Sequence, residues 1–404
     1  MTESESSQTE GALAGLRVLD LGLLVQGPQA ALMLSDLGAD VIKVELPGLG
    51  DQARWIPISM QDLRAPYFIG CNRGKRSLTL DLRTPAGQDV FLRLVEDVDV
   101  VISNFVPGTL EGWGLGYEQL AARNPRIVLG CASSFGSVGP DAERRGADLA
   151  GQAAGGLIRA TGNGADDISP VAVTIADHLG SQNLANGVLA ALYARERTGR
   201  GQQVDVSLLG GQIYAQASEY TYTFLTGEEV PSPAGGHPLI AMIYGIVPTS
   251  DGHLALVGVP EADRDGFFRL VGRPDLRRDP RFDVLLMTDE HRRALFAELA
   301  PAFCTKTTAE WGALLREAGI RYAPVLSRSE VADDEGVYEN GYLRRIEHPE
   351  WGPMPTVGVP IRLSETPATP GDLAPELGQH TEEVLLEIGF EWEEIAKLRE
   401  TNVI

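Results

Sequence analysis

The run Thr174-Ile175-Ala176-Asp177-His178 places a carboxylate at the head of a helical pattern that continues to about Arg197. Leu184, Val188 and Leu192 recur at i, i+4 and i+8, which marks one buried face. An aspartate in that place is ordinarily an N-cap, its oxygen accepting the free N–H groups of the first turn. The same place suits a nucleophile, because the positive end of the helix dipole favours an ionised carboxylate. The residues alone leave both roles open.

Other chemistries find little support. The six histidines stand singly rather than at metal-ligand spacing, so no metal is expected. Cys71, Cys131 and Cys304 form no CxxC pair, which argues against zinc and against a disulfide framework and favours a reducing, cytoplasmic setting. There is no GxGxxG, no GxxxxGK[ST], no GxSxG and no HExxH. A carboxylate, an amide or a backbone site remains. Arg73, Lys75 and Arg76 form the densest basic cluster, which suits phosphate groups. They stand out because 34 basic residues face 56 acidic ones, a formal net charge of −22. Such a field repels a nucleic-acid backbone, so no nucleic-acid partner is expected. No stretch approaches the roughly 18–20 apolar residues of a membrane span, and no membrane partner is expected either. Residues 1–14 read as a disordered tail rather than a signal peptide, lacking a basic start and an apolar stretch.

The elements that must position these residues alternate. Arg17–Leu21 reads as a buried strand, Pro28 as the first position of a helix that Gly38 closes, and Val41–Glu45 as the next strand. Thr84-Pro85 opens a helix with Val90, Phe91, Leu94 and Val95 on one face, followed by a strand at Val100–Ile102. A short helix over Tyr117–Arg123 leads to a strand at Ile127–Leu129, and another strand follows at Gln203–Leu208. Alternation of this kind predicts an α/β fold with a mostly parallel sheet, whose ligands sit beyond the carboxyl ends of the strands. Those ends are the loops 22–28, 46–54, 103–109 and 132–147. The large domain is expected over 15–221, a Gly- and Pro-rich linker over 222–240 and a smaller α+β domain over 241–330. A return segment is expected over 331–404.

At this point five segments carry a resemblance over almost the whole chain. They are LRVLDL to LSDLGADVIKVE (16–45), NRGKRSLTLDLRTPAG (72–87), NFVPGTLEGWGLGYEQLAARNPRIV (104–128), the region 146–208 with LAALYARERTGRGQQVDVSLL, and ELGQHTEEVL near the C-terminus. In this order they resemble the family III CoA-transferases, which include formyl-CoA transferase and carnitine CoA-transferase. The resemblance implies a Rossmann-like large domain built from both chain ends, a small domain between them, and two chains interlocked as a homodimer. It implies an acyl-CoA and a carboxylic acid as substrates, with no permanently bound cofactor. Asp177 then becomes the nucleophile, forming an anhydride with the acyl group and a thioester with CoA. Gln26 and Asp148 are expected to support it, and Gly235 and Gly236 to offer backbone N–H groups as an oxyanion site. CoA is expected at Asn104, Phe105 and Thr109, with Arg73, Lys75, Arg76 and Arg145 toward its phosphates.

The chain departs from the formyl-CoA transferase pattern at three places. Val25 stands where that branch has a glutamine, which appears one residue later as Gln26; Gly112 replaces an arginine, and Asp148 a glutamate. The formyl or oxalyl substrate is therefore not carried over. An α-methylacyl-CoA racemase shares the implied fold but carries a proton-transferring histidine where this chain has Ala147, so transfer is favoured over racemisation. A non-catalytic CoA-binding protein would have no need of Asp177.

Overall fold

The computed structural model describes residues 10–161, 168–230, 236–237, 239–240, 242–283 and 288–404. Its first part runs β1 (Arg17–Asp20), α1 (Gln26–Asp36), β2 (Asp40–Glu45), α2 (Pro66–Asn72), β3 (Arg76–Thr79), α3 (Pro85–Val95) and β4 (Val100–Ser103). Next come α4 (Thr109–Gly112), α5 (Tyr117–Arg123), β5 (Val128–Ser133), α6 (Asp148–Ala154) and α7 (Leu157–Thr161). The chain continues with α8 (Ile175–Thr198), β6 (Gln203–Ser207), α9 (Leu208–Ala215) and α10 (Ala217–Thr226). Two compact units result. One holds the chain up to Gly155, Ala172–Ala215 and Glu335–Ile404; the other holds Gly156–Val171 and Gln216–Asp334.

The first unit is a mixed α/β fold on a six-stranded sheet of order β3-β2-β1-β4-β5-β6, every neighbouring pair parallel. The order reverses between β1 and β4, the switch point beyond whose strand ends folds of this kind bind their ligands. Strand alternation divides the core into two layers. Leu19, Ile42, Leu78, Val101 and Leu129 pack on α3 and on the helices Thr381–Glu387 and Trp392–Glu400. Val18, Val41, Val100, Ile102 and Val128 pack on α1 and α8. The C-terminal segment also covers the sheet edge: Ser77 N–H donates to His380 Nδ1 at 3.1 Å and Thr79 N–H to Thr381 Oγ1 at 3.0 Å. Donors that would invite another strand are thereby occupied.

Three local readings of the sequence need correction. Helix α1 starts at Gln26, not Pro28, because Gln29 N–H already bonds Val25 C=O at 2.8 Å. Proline sits there without strain, since the N–H it lacks would have no helical partner in the first turn. Strand β3 and helix α2 escaped the sequence reading; each is too short for its period to show. Helix α10 occupies the start of the expected linker, because no glycine or proline interrupts 217–226 and the first breaker is Gly227, at φ +73°.

The second unit pairs β7 (Ile243–Pro248), β8 (His253–Val259) and β9 (Tyr322–Pro324) as an antiparallel sheet under α11 (Arg264–Leu270), α12 (Asp289–Phe303) and α13 (Thr308–Glu317). Its core is aromatic: Phe267, Phe268, Phe303 and Trp311 are buried, and the last two rings lie 4.6 Å apart.

Candidate active site

Asp177 is the third residue of α8, not its cap. The residue before the helix, Thr174, makes no side-chain cap bond. The capping carboxylate comes instead from Asp148, the first residue of α6. Its Oδ1 accepts the N–H groups of Ala176 at 2.7 Å and Asp177 at 3.3 Å, while Oδ2 accepts Gln152 Nε2 at 2.6 Å. With the amide groups occupied by another residue, the Asp177 carboxylate is left half-buried, and no donor among the described residues reaches it. Its pKa is pushed up from 3.8 to about 7, first by burial and then by the charge of Asp148. The expectation that the helix dipole would favour the ionised form is overturned, since burial beside a second carboxylate outweighs a helix-end effect of about 0.3–1 kcal/mol. His178 is also half-buried, and burial holds its pKa below the usual histidine value although Asp148 opposes the shift.

Gln26 reaches the same turn. Ser181 Oγ lies 2.8 Å from Gln26 C=O and 2.7 Å from Asp177 C=O, which ties the start of α1 to the start of α8. The Gln26 side chain packs against Gly180, where an added Cβ would stand 2.5 Å from its Nε2. Gln26 is only 4% exposed, and Nε2 has no hydrogen-bond partner among the described residues. A buried amide left open is costly, which sets Gln26 apart from an ordinary core residue.

The other expected contacts separate. Asn104 Oδ1 accepts Leu23 N–H at 2.8 Å and its Nδ2 donates to Leu23 C=O at 2.9 Å, so Asn104 joins the loops after β1 and β4. Phe105 stacks edge-on against Trp113 at 5.5 Å. Both rings line a mainly apolar cavity of about 280 Å³ with Leu21, Leu23, Leu80 and Arg83, beyond the ends of β1, β3 and β4. Thr109 opens α4, and Arg145 is exposed in the loop before α6. The basic cluster is engaged elsewhere. Arg73 is paired with Asp36 at 2.5 Å, Lys75 with Asp20 at 2.7 Å, and Arg76 with Asp40 at 2.6 Å and Glu387 at 2.7 Å. Arg73 and Lys75 are buried, so neither is available to a phosphate as the sequence suggested. Gly236 belongs to the second unit, where an added Cβ would stand 2.2 Å from Tyr244 C=O; Gly235 lies outside the described residues. Lys43 in β2 and Asp51 in the loop after it carry no signal in the sequence, and the turn of that loop brings them within 2.9 Å, both completely buried.

Fold and site together define a doubly wound α/β protein with two carboxylates at the head of its 24-residue helix. The family model for CoA-transferase family III matches residues 13–381, and the chain belongs to that family. It is 34% identical to a succinyl-CoA–D-citramalate CoA-transferase of Chloroflexus aurantiacus, over 97% of this chain and 98% of that one. It is 30% identical to a formyl-CoA:oxalate CoA-transferase of a Bradyrhizobium species, over 97% of each chain. Among solved structures, a CAIB/BAIF family protein from Brucella suis superposes with a TM-score of 0.83 at 32% identity, covering 94% of this chain and all of that one.

Proposed function

We propose that the protein moves coenzyme A from an acyl-CoA donor to a carboxylic acid acceptor through covalent intermediates on Asp177. The carboxylate oxygen attacks the thioester carbonyl, the C–S bond breaks, and CoA leaves as the thiolate from a mixed anhydride. The thiolate then attacks the aspartyl carbonyl, releasing the donor acid and leaving an aspartyl-CoA thioester. The acceptor carboxylate attacks that thioester, and CoA thiolate returns to the acceptor's carbonyl, which regenerates Asp177. Atoms and charge balance without any further reagent. A carboxylate is suited to this because its anhydride and a thioester lie close in energy, which divides the transfer into reversible steps.

The donor-free, half-buried state of Asp177 carries this reading. A carboxylate stripped of hydrogen bonds is a stronger nucleophile, and burial keeps water from the anhydride. Asp148 holds the backbone at the head of α8, and the Gln26 amide supplies a donor for the oxyanion that forms on acyl attack. The cavity beside Phe105 and Trp113, at the switch point, takes the CoA nucleotide. Relatives named for succinyl-CoA with D-citramalate, mesaconate or glutarate make succinyl-CoA and short dicarboxylates the first substrates to test. The working form is an interlocked homodimer in the cytoplasm, with each large domain built from both chain ends. The described residues contain no helix long and apolar enough to cross a membrane.

The test is to incubate the protein with succinyl-CoA, trap with hydroxylamine or borohydride, and locate the modified peptide by mass spectrometry. Modification is expected at Asp177, and Asp177→Ala should abolish CoA exchange while leaving the fold intact. Near-normal transfer by that variant refutes the mechanism. Deuterium wash-in at the α-carbon of a 2-methylacyl-CoA, without an acceptor acid, would instead support racemisation.

A further inference from the structure

The loop that leads from β1 into α1 is held almost entirely by side chains. Three consecutive N–H groups donate to three different residues: Gly22 to Asp20 Oδ1 at 2.8 Å, Leu23 to Asn104 Oδ1 at 2.8 Å, and Leu24 to Asp51 Oδ1 at 2.9 Å. The carbonyls are held as well. Lys43 Nζ donates to Gly22 C=O at 2.8 Å, Asn104 Nδ2 to Leu23 C=O at 2.9 Å, and Lys75 Nζ to Pro28 C=O at 2.8 Å. Behind the loop the charges pair: Lys43 lies 2.9 Å from Asp51, and Lys75 lies 2.7 Å from Asp20. All four of these side chains are completely buried.

Such an arrangement is not explained by stability. Desolvating four charges consumes most of what their attraction returns, and an apolar core of the same volume is often as stable. Burial opposes the charge on Lys43, and Asp20 and Asp51 overcome it, keeping its pKa above the ordinary value. At Lys75 burial prevails and the pKa is lowered. The loop also contains a strained residue. Leu24 has φ +63°, a left-handed conformation that non-glycine residues adopt only when their surroundings impose it. Its N–H is the one that Asp51 holds. Two residues later comes Gln26, whose buried amide, without a hydrogen-bond partner among the described residues, lies against Gly180 in the second turn of α8.

We propose that Asp20, Lys43, Asp51, Lys75 and Asn104 are positioning residues that fix the Gly22–Leu24 backbone so that the Gln26 amide is presented to the acyl oxygen formed on Asp177. The proposal rests on Asp177 being the nucleophile. It gives Asn104 a part in the clasp between two loops, and it gives a function to a buried charge set that the transfer chemistry itself does not use.

The test compares Asn104→Leu, Asp51→Asn and Asp51→Ala in the full-length protein, with isotope exchange between succinyl-CoA and labelled succinate as the assay. Asn104→Leu removes both clasp bonds and leaves no buried charge behind, so it should fold. Its kcat should fall about 10–100-fold, the loss expected for displacement of about 1 Å, with KM for succinyl-CoA within about twofold of wild type. Asp51→Ala should lose more kcat than Asp51→Asn, because the asparagine oxygen can still accept the Leu24 and Ala53 N–H groups. Wild-type kcat in folded Asn104→Leu and Asp51→Ala, with only a lower melting temperature, overturns the proposal. A raised KM at unchanged kcat also overturns it, by returning Asn104 to cofactor binding. Exchange that survives Asp177→Asn removes the nucleophile, and the proposal with it.

Discussion

Replacing Asp177 by asparagine should make the protein inactive and, above neutral pH, more stable. The folded-state pKa of Asp177 is raised from 3.8 to about 7. A raised carboxylate binds its proton more tightly in the folded state, so its stabilising contribution is complete below the unfolded pKa and is lost as pH rises through the folded one. The shift of about 3 units corresponds to about 4 kcal/mol in full. Between pH 5 and pH 8, where the folded group gives up its proton and the unfolded group is already ionised, about 2.5 kcal/mol of that is lost. Asparagine does not titrate. Loss of the favourable helix-end interaction takes back about 0.3–1 kcal/mol at the upper pH, leaving a net gain of about 1.5–2 kcal/mol relative to wild type between the two pH values. Urea unfolding of both proteins at pH 5 and pH 8, followed by the near-UV signal of the folded state, measures the change. If the gap between asparagine variant and wild type is the same at both pH values, Asp177 is not a buried, proton-holding carboxylate and the account of its reactivity fails.

The same titration should appear in catalysis: kcat/KM should fall below about pH 7 as Asp177 takes up a proton, and Asp148→Asn should move that limb to lower pH by removing the second cause of the shift. Gly180→Ala should lower kcat without abolishing folding, because its Cβ meets the Gln26 amide at 2.5 Å and that side chain must move; pre-steady-state acylation of Asp177 would show the slowed step. Arg73→Ala should cost about 3–5 kcal/mol by leaving Asp36 buried without its partner, yet leave KM for acyl-CoA unchanged in the folded fraction. A large rise in that KM would restore Arg73 to phosphate binding.

Sequence patterning was sufficient for five of the six strands and for little of the charge network. Continuous apolar runs such as Val100-Val101-Ile102 are buried on both faces, and burial of that kind is what a parallel sheet requires, so β1, β2, β4 and β5 fall within a few residues of their expected places. Asp177 is singled out only because its segment resembles a family, and its local environment does not follow from the sequence. Whether an aspartate near a helix start caps that helix depends on where the helix begins, and here a carboxylate 29 residues earlier set the start. Arg73, Lys75 and Arg76 resemble a phosphate site because charges close in sequence are visible, whereas Asp20, Asp36 and Asp40, which neutralise them, are brought near only by the pairing of β1, β2 and β3 and the packing of α1 on α2.

The contrast between the two carboxylates at the head of α8 follows from how hydrogen bonds are distributed there. Asp148 accepts from two backbone amides and one side-chain amide, while Asp177, one residue beyond the first of those amides, accepts from none among the described residues. If Asp177 itself were the cap, its oxygens would be committed to the helix, and attack on a thioester would first have to break those bonds. With the cap supplied by Asp148, the proposed nucleophile is free, and the charge on the cap raises its pKa further. A raised pKa makes the oxygen more basic, and so more nucleophilic once the proton has gone. In the proposed mechanism the second carboxylate therefore serves reactivity in two ways at one position, by releasing the Asp177 oxygens from the helix and by making them stronger bases.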